Sequence, residues 1–247
     1  MAPSEAARTA LATPTGQAGV PTGGPSVAEI MDAYSDAVPM AADPAALVVA
    51  ARHFDNAAVR WMLARVHPRD VLLWWADLVE PALTRMQEGA ALERPGESAV
   101  RVLEAAAFAE LRSRAAAAAA RSEGQAGTGA VLAIPSGPFP DLLVHVLATG
   151  LQDRAVQTRV LAGGGAAGVE AALAELKPAA VLLHVGGSVD DGARAVDVVQ
   201  RVAVLAPSLP LFVHREGSAP LDAPPSVALH RVRTLTGALH EILAVVR

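Results

Sequence analysis

Three histidines stand where apolar runs end or turn, and imidazole is the side chain that both titrates near neutral pH and coordinates metals. His184 closes "AAVLLHV" and His214 closes "PLFVH", so the two are expected on neighbouring strands at the same end of a sheet. Rings that meet there would form a pH-sensitive or ligand-contacting pair, or simply fill the space at the strand ends. His145 lies in "DLLVHVLATG" between Val144 and Val146, and reads as a structural or surface residue rather than a ligand. After His184 the chain runs "GGSVDDG", where Asp190 and Asp191 could hold a cation; capping and the helix dipole already account for acids at a helix N-terminus, so no metal is expected. "GGGAAG" at 163–168 has the glycines of an anion cradle, but it follows the second strand and lacks a Lys-Ser/Thr end, so it reads as a strand-to-helix turn. Trp61, Trp74 and Trp75 are all the tryptophans of an aromatic-poor chain. Adjacent Trp74 and Trp75 cannot both point into one core, so one of them is expected to face an interface or a ligand. No Ser-His-Asp order and no carboxylate pair converges on a foreseeable pocket, and an enzyme is not expected.

The elements that must position these residues fall into two kinds. Residues 1–25, "MAPSEAARTALATPTGQAGVPTGGP", have no periodicity and are expected to be a disordered tail. A helical region follows over 26–121: a short helix opening at Ser26, then "DPAALVVAARHF", "NAAVRWMLARV", the longer "HPRDVLLWWADLVEPALTRMQEG" and "GESAVRVLEAAAFAELRSRAAAAAARSEG". Asp and Ser caps and closing glycines mark their ends, and short connections between the four long segments imply a four-helix bundle. Leu47, Val59, Met62, Leu63, Leu72, Trp75, Leu78, Leu83, Val100, Leu103, Ala107 and Leu111 are its expected core. "SEGQAGTG" marks a linker at 122–129. Over 130–247 the strands "AVLAI", "AVQTRVL", "AAVLLHV", "PLFVH" and "VALH" alternate with helices near 140–152, 166–176, 191–204 and 234–246. That rhythm implies a flavodoxin-like, doubly wound, five-stranded parallel sheet, with any ligand at the carboxyl ends of the strands.

Composition narrows the function. The chain has 247 residues, net charge −5, and hydrophobic residues at 52% against aromatics at 3%. Lys and Arg are scattered singly, which argues against direct nucleic-acid binding. There is no Cys, hence no disulfide, thiolate site or Cys nucleophile, and a cytoplasmic setting is expected. No apolar run is long enough to span a membrane and no signal peptide is evident.

A bundle, a glycine linker and this α/β pattern together resemble the cobalamin-binding module of methionine synthase, of corrinoid methyltransferase partners and of light-sensing MerR-type repressors. "HPRDVLLWWADLVEPALTRMQEG" and "LKPAAVLLHV" carry the likeness best, and it covers roughly residues 43–247. The resemblance implies Asp-x-His-x-x-Gly, or Glu-x-His, after the first strand, because imidazole can bind cobalt while an acid orients its ring. That pattern falls on Pro138 for the acid, Pro140 for the ligand and Leu143 for the glycine. A small hydroxyl residue and a Gly-Gly pair, which the family uses to open a channel for the nucleotide tail, fall on His184 and on His214-Arg215. The repressors' Trp and Glu-His pair over the upper face fall on Met86 and on Glu97-Ser98.

The resulting expectation is a non-enzymatic regulatory or sensory module that keeps cobalamin-type architecture, has lost the ligation and takes no cofactor. It would act in transcriptional or signalling control through a protein partner or another ligand. The alternative is a cobalamin- or other tetrapyrrole-binding (photo)sensor, or a corrinoid carrier, with altered ligation. Trp74, Trp75, His184 and His214 are the residues expected at a ligand or an interface. No winged helix is read ahead of the bundle, so any DNA recognition would come from a partner. The Ala-rich helical surface, including 115–120, suggests a homo-oligomer.

Overall fold

The computed structural model describes residues 41–66, 70–89, 92–122, 128–138, 140–162, 166–215 and 228–246. The expected tail, the short helix begun at Ser26 and residues 123–127 of the expected linker lie outside them.

Aspartates start the helices of the first half. Asp43 accepts from the N–H of Ala46 to open α1 (Pro44–Arg52), and Asp55 accepts from Ala58 to open α2 (Asn56–Arg65). Asp70 accepts from both Leu72 and Leu73 at α3 (Val71–Trp74). A π-helical turn (Trp75–Val79) follows, then α4 (Glu80–Glu88) and the long α5 (Ala99–Ser122). Sequence patterning reads the whole stretch from 67 to 89 as one helix, and the widened turn is the difference. Its physical reason is Pro81, which has no N–H and whose ring crowds the carbonyl four residues back; an extra residue in the turn ahead of it absorbs the misfit. Leu47, Val59, Leu63, Leu78 and Leu103 are buried in the core of this layer, whereas Met62 and Val100 are only half-buried at its edge.

Beyond it come β1 (Thr128–Pro135), α6 (Leu142–Gln152), β2 (Val156–Val160), α7 (Ala166–Leu176), β3 (Ala180–Val185), α8 (Val189–Leu205), β4 (Leu211–Arg215), β5 (Leu229–Val232) and α9 (Leu235–Val246). All neighbouring strands pair parallel, in the order β2-β1-β3-β4-β5, the flavodoxin-like arrangement. β5 starts two residues later than the pattern "VALH" suggests. Strand alternation divides the core: Ala180, Leu182 and Phe212 pack with α6 and α9, while Val181, Leu183 and Val213 pack with α7 and α8.

The helical layer stacks on the outer side of α6 through α3 and α5, so one apolar core runs from Leu47 through Leu147 to Leu182. Gly150 sits at this contact, where an added Cβ would lie 3.4 Å from Val71 Cγ1. Arg154 pairs with Asp70 at 3.3 Å and Arg121 with Asp153 at 2.9 Å across the same seam. Among the described residues no helix is long and apolar enough to cross a membrane.

Candidate functional site: a cleft over the strand ends

In a doubly wound sheet the loops after the strands leave a crevice at the carboxyl edge. Here the helical layer roofs it, giving a cleft of about 640 Å³. Pro138, Pro140 and Leu143 line it from the turn after β1 and the start of α6, and Trp75, Leu83 and Phe108 line it from the helical layer. Its polar margin is the Arg101–Glu104 ion pair at 2.7 Å, with Asp141 and Asp191. Pro138 and Pro140 are exposed, and neither offers a metal a donor nitrogen. Leu143 is buried.

The adjacent tryptophans diverge. Trp74 turns into the helical core, donates its indole N–H to the Leu63 carbonyl at 2.9 Å, and carries the Arg114 guanidinium 5.0 Å from its ring. Trp75, the first residue of the π turn, forms a wall of the cleft. It is also buried, yet among the described residues no acceptor reaches its indole N–H. A buried N–H without an acceptor costs about 1–3 kcal/mol. π turns recur at functional sites.

His184 and His214 pair in register on β3 and β4, and both are buried. Their rings stack at 28° with Nδ1 to Nδ1 at 3.0 Å. His184 Nε2 lies 3.4 Å from Oδ2 of Asp141, whose Oδ1 caps α6 by accepting from Leu143 and Val144. Burial, and after it the charge of His184, lowers the His214 pKa to about 4, against a smaller opposing effect of Asp141. Ser136 donates its backbone N–H to the His184 carbonyl at 2.9 Å and accepts from Gly186 N–H through Oγ at 3.3 Å, tying the β1 and β3 ends together. The carboxylate of Asp191 fills the neighbouring nook, where a Cβ on Gly186 would come within 2.7 Å of its Oδ2.

The remaining sequence candidates lie around this centre. Arg215 is half-buried on the other face of β4, beside Gly192 at the start of α8. His145 is half-buried, edge-on to Phe108 at 5.2 Å, and burial lowers its pKa while Asp141 opposes. Met86 is buried within α4. Glu97 and Ser98 line a separate hollow of about 380 Å³ with Phe54 and Arg60. Trp61 is exposed, with Arg65 5.4 Å from its ring. Asp190 is exposed, and Asp191 pairs with Arg194 at 3.3 Å. The glycines at 163–165 lie outside the described residues. Asp141 is the residue that sequence reasoning passed over, although an Asp directly before "LLVHV" is a capping signal.

No protein-family model matches this chain, and no curated protein matches it. Solved structures do. A monomethylamine corrinoid protein of Methanosarcina barkeri aligns with TM-score 0.60 and 14% identity, over 81% of this chain and 96% of that one. The methanol:cobalamin methyltransferase complex of the same organism aligns with TM-score 0.44 and 14% identity, over 81% and 78%. A cobalamin-binding protein from Desulfitobacterium hafniense DCB-2 aligns with TM-score 0.36 and 16% identity, over 72% and 85%. The fold is therefore shared with the monomethylamine corrinoid protein, a helical layer on a flavodoxin-like sheet. This corrects the expectation, drawn from Pro138, Pro140 and their neighbours, that the chain takes no cofactor: the solved chain sharing the fold at TM-score 0.60 is by description a corrinoid protein. That expectation rests on residue types at the turn (Pro138, Pro140, Leu143), at His184, His214 and Arg215, and at Met86, Glu97 and Ser98, whereas a cleft is defined by the walls that distant segments bring together.

Proposed function

We propose that this chain is a carrier or sensor module for a corrinoid or another tetrapyrrole, held in the cleft with ligation altered from that of an imidazole-bearing β1 turn. The observation that carries the reading is Trp75: a buried indole N–H that meets no acceptor among the described residues, in the wall of a cleft of ligand size. The rim of a corrin bears amide carbonyls, the kind of acceptor that N–H lacks. Trp75, Leu83, Phe108 and Pro140 would bind and orient the ring and exclude water, while Arg101 would meet its polar substituents. Bound there, the group would supply metal-centred chemistry. Pro140 offers no nitrogen donor, so at that turn the chain would hold the group by the walls of the cleft rather than by a ligating side chain.

Chemistry on the ligand is left to a protein partner, and a role in transcriptional or signalling control rests on the sequence resemblance alone. Titration of the full chain with hydroxocobalamin, cobinamide and haem, in darkness and after illumination, tests the reading by absorbance and calorimetry. Stoichiometric binding of one of them with quenching of Trp fluorescence is the expected result. Failure of all three to bind at about 0.1 mM would overturn it. Light scattering with and without the bound group tests the self-association.

A further inference from the structure

We propose that His214, His184 and Asp141 form a proton relay that ends in the wall of the cleft, the two imidazoles sharing a single proton between their Nδ1 atoms. The relay stands on the side chains alone and holds whether or not a tetrapyrrole is the ligand.

Two imidazole nitrogens 3.0 Å apart need one hydrogen between them, since none leaves two lone pairs opposed and two would overlap. At the other end His184 presents Nε2 to the Asp141 carboxylate. A neutral His184 therefore keeps its proton on Nε2 and accepts at Nδ1, and His214 is the donor through Nδ1–H. Adding a proton to the remaining nitrogen of His214 lets the bridging proton cross. The Nδ1–H bond of His214 breaks, the Nδ1–H bond of His184 forms, and the positive charge arrives beside Asp141 without either ring turning. Asp141 is fixed for this role by the two N–H groups of α6 that its other oxygen accepts, and it lines the cleft. A ligand that brings negative charge against Asp141 would then be compensated by one proton entering through His214.

The setting admits one charge and resists a second. Among the described residues β1 carries no ionisable side chain, Arg215 lies on the opposite face of β4, His230 on β5 shares the face of the pair but is exposed and stacked on Phe212 at 4.8 Å, and Arg231 on β5 and His240 and Glu241 on α9 are exposed. On α6 the ionisable neighbours are Asp141 and His145, the latter turned to Phe108, and Asp191 at the start of α8 is paired with Arg194. The lowered pKa of His214, about 4, agrees with a pair that takes up one proton and not two above that pH.

Full-length, ligand-free protein labelled with 15N-histidine tests the relay by NMR from about pH 5 to 8. The expected result is a coupling through the hydrogen bond between the two Nδ1 nuclei, with the shifts of both rings moving together in one step that amounts to a single proton. His214→Asn should abolish the coupling. Absence of the coupling in the unmodified chain, or two independent protonation steps within that range, would overturn the proposal, and neither reading depends on the variant folding.

Discussion

Replacing indole by phenyl at Trp74 and at Trp75 makes the same deletion in neighbouring buried residues with opposite hydrogen-bond consequences. The packing lost is larger at Trp74, which lies in the core under the Arg114 guanidinium, than at Trp75 on the cleft wall, and this adds to the difference in the same direction. Trp74→Phe removes a buried bond of 2.9 Å to the Leu63 carbonyl, at a net cost of about 0.5–1.5 kcal/mol. Arg114 Nη2, 3.4 Å from the same oxygen, keeps that carbonyl from being stranded. Trp75→Phe instead removes a donor that meets no acceptor among the described residues and recovers about 1–3 kcal/mol. The Trp74 variant should therefore be less stable than the Trp75 variant by about 1.5–4.5 kcal/mol. Urea unfolding of the ligand-free chain followed by circular dichroism measures this, provided that the two slopes agree. A difference below about 0.5 kcal/mol, or a Trp75 variant less stable than the Trp74 variant, would refute the reasoning. If hydroxocobalamin binds, Trp75→Phe should weaken it by about 2- to 12-fold, the equivalent of one hydrogen bond, and Trp74→Phe should not.

Asp141→Ala removes the acceptor for two N–H groups at the start of α6 and should cost about 0.5–2 kcal/mol in thermal unfolding, with Asp141→Asn closer to the parent. His214 has a folded pKa of about 4 against 6.5 for the model imidazole, so between these values the unfolded chain binds more protons than the folded one. The stability it confers is whole above about pH 6.5 and is lost as pH falls towards 4, with a slope of at most about 1.4 kcal/mol per pH unit. His145 adds in the same direction, and His214→Asn should flatten the dependence in pH-resolved denaturation. Gly150→Ala adds a Cβ at ordinary contact distance from Val71 inside α6 and should stabilise by about 0.5–1 kcal/mol through helix propensity, whereas Gly150→Leu should force α3 and α6 apart and lower the melting temperature.

Much of the architecture was legible in order because its causes are local. Strands covered on both faces must be continuous apolar runs, as in "AVLLHV", so the five strands and the helices between them fall within a few residues of their expected places, and aspartates before apolar segments mark helix starts in the first half. The helix containing Trp74 and Trp75 was legible as a helix but not as a π turn, since whether Pro81 kinks a helix or widens a turn depends on what packs around it. Sequence reasoning put Trp75 in the core and held that the two adjacent indoles could not both point into it; the packed structure buries both, Trp74 against the Leu63 carbonyl eleven residues away and Arg114 far along the chain, and Trp75 at the wall of the cleft. Apolar periodicity similarly placed His184 and His214 at one end of the sheet. The Nδ1 contact between them, and the second oxygen of Asp141 aimed at His184, depend on strand register and rotamers across separations of 30 and 43 residues. No local pattern encodes such separations. The cleft is the same kind of quantity, a space defined by surfaces from distant segments, and residue identities at one turn, Pro138 and Pro140, determine what lines it but not whether it is there.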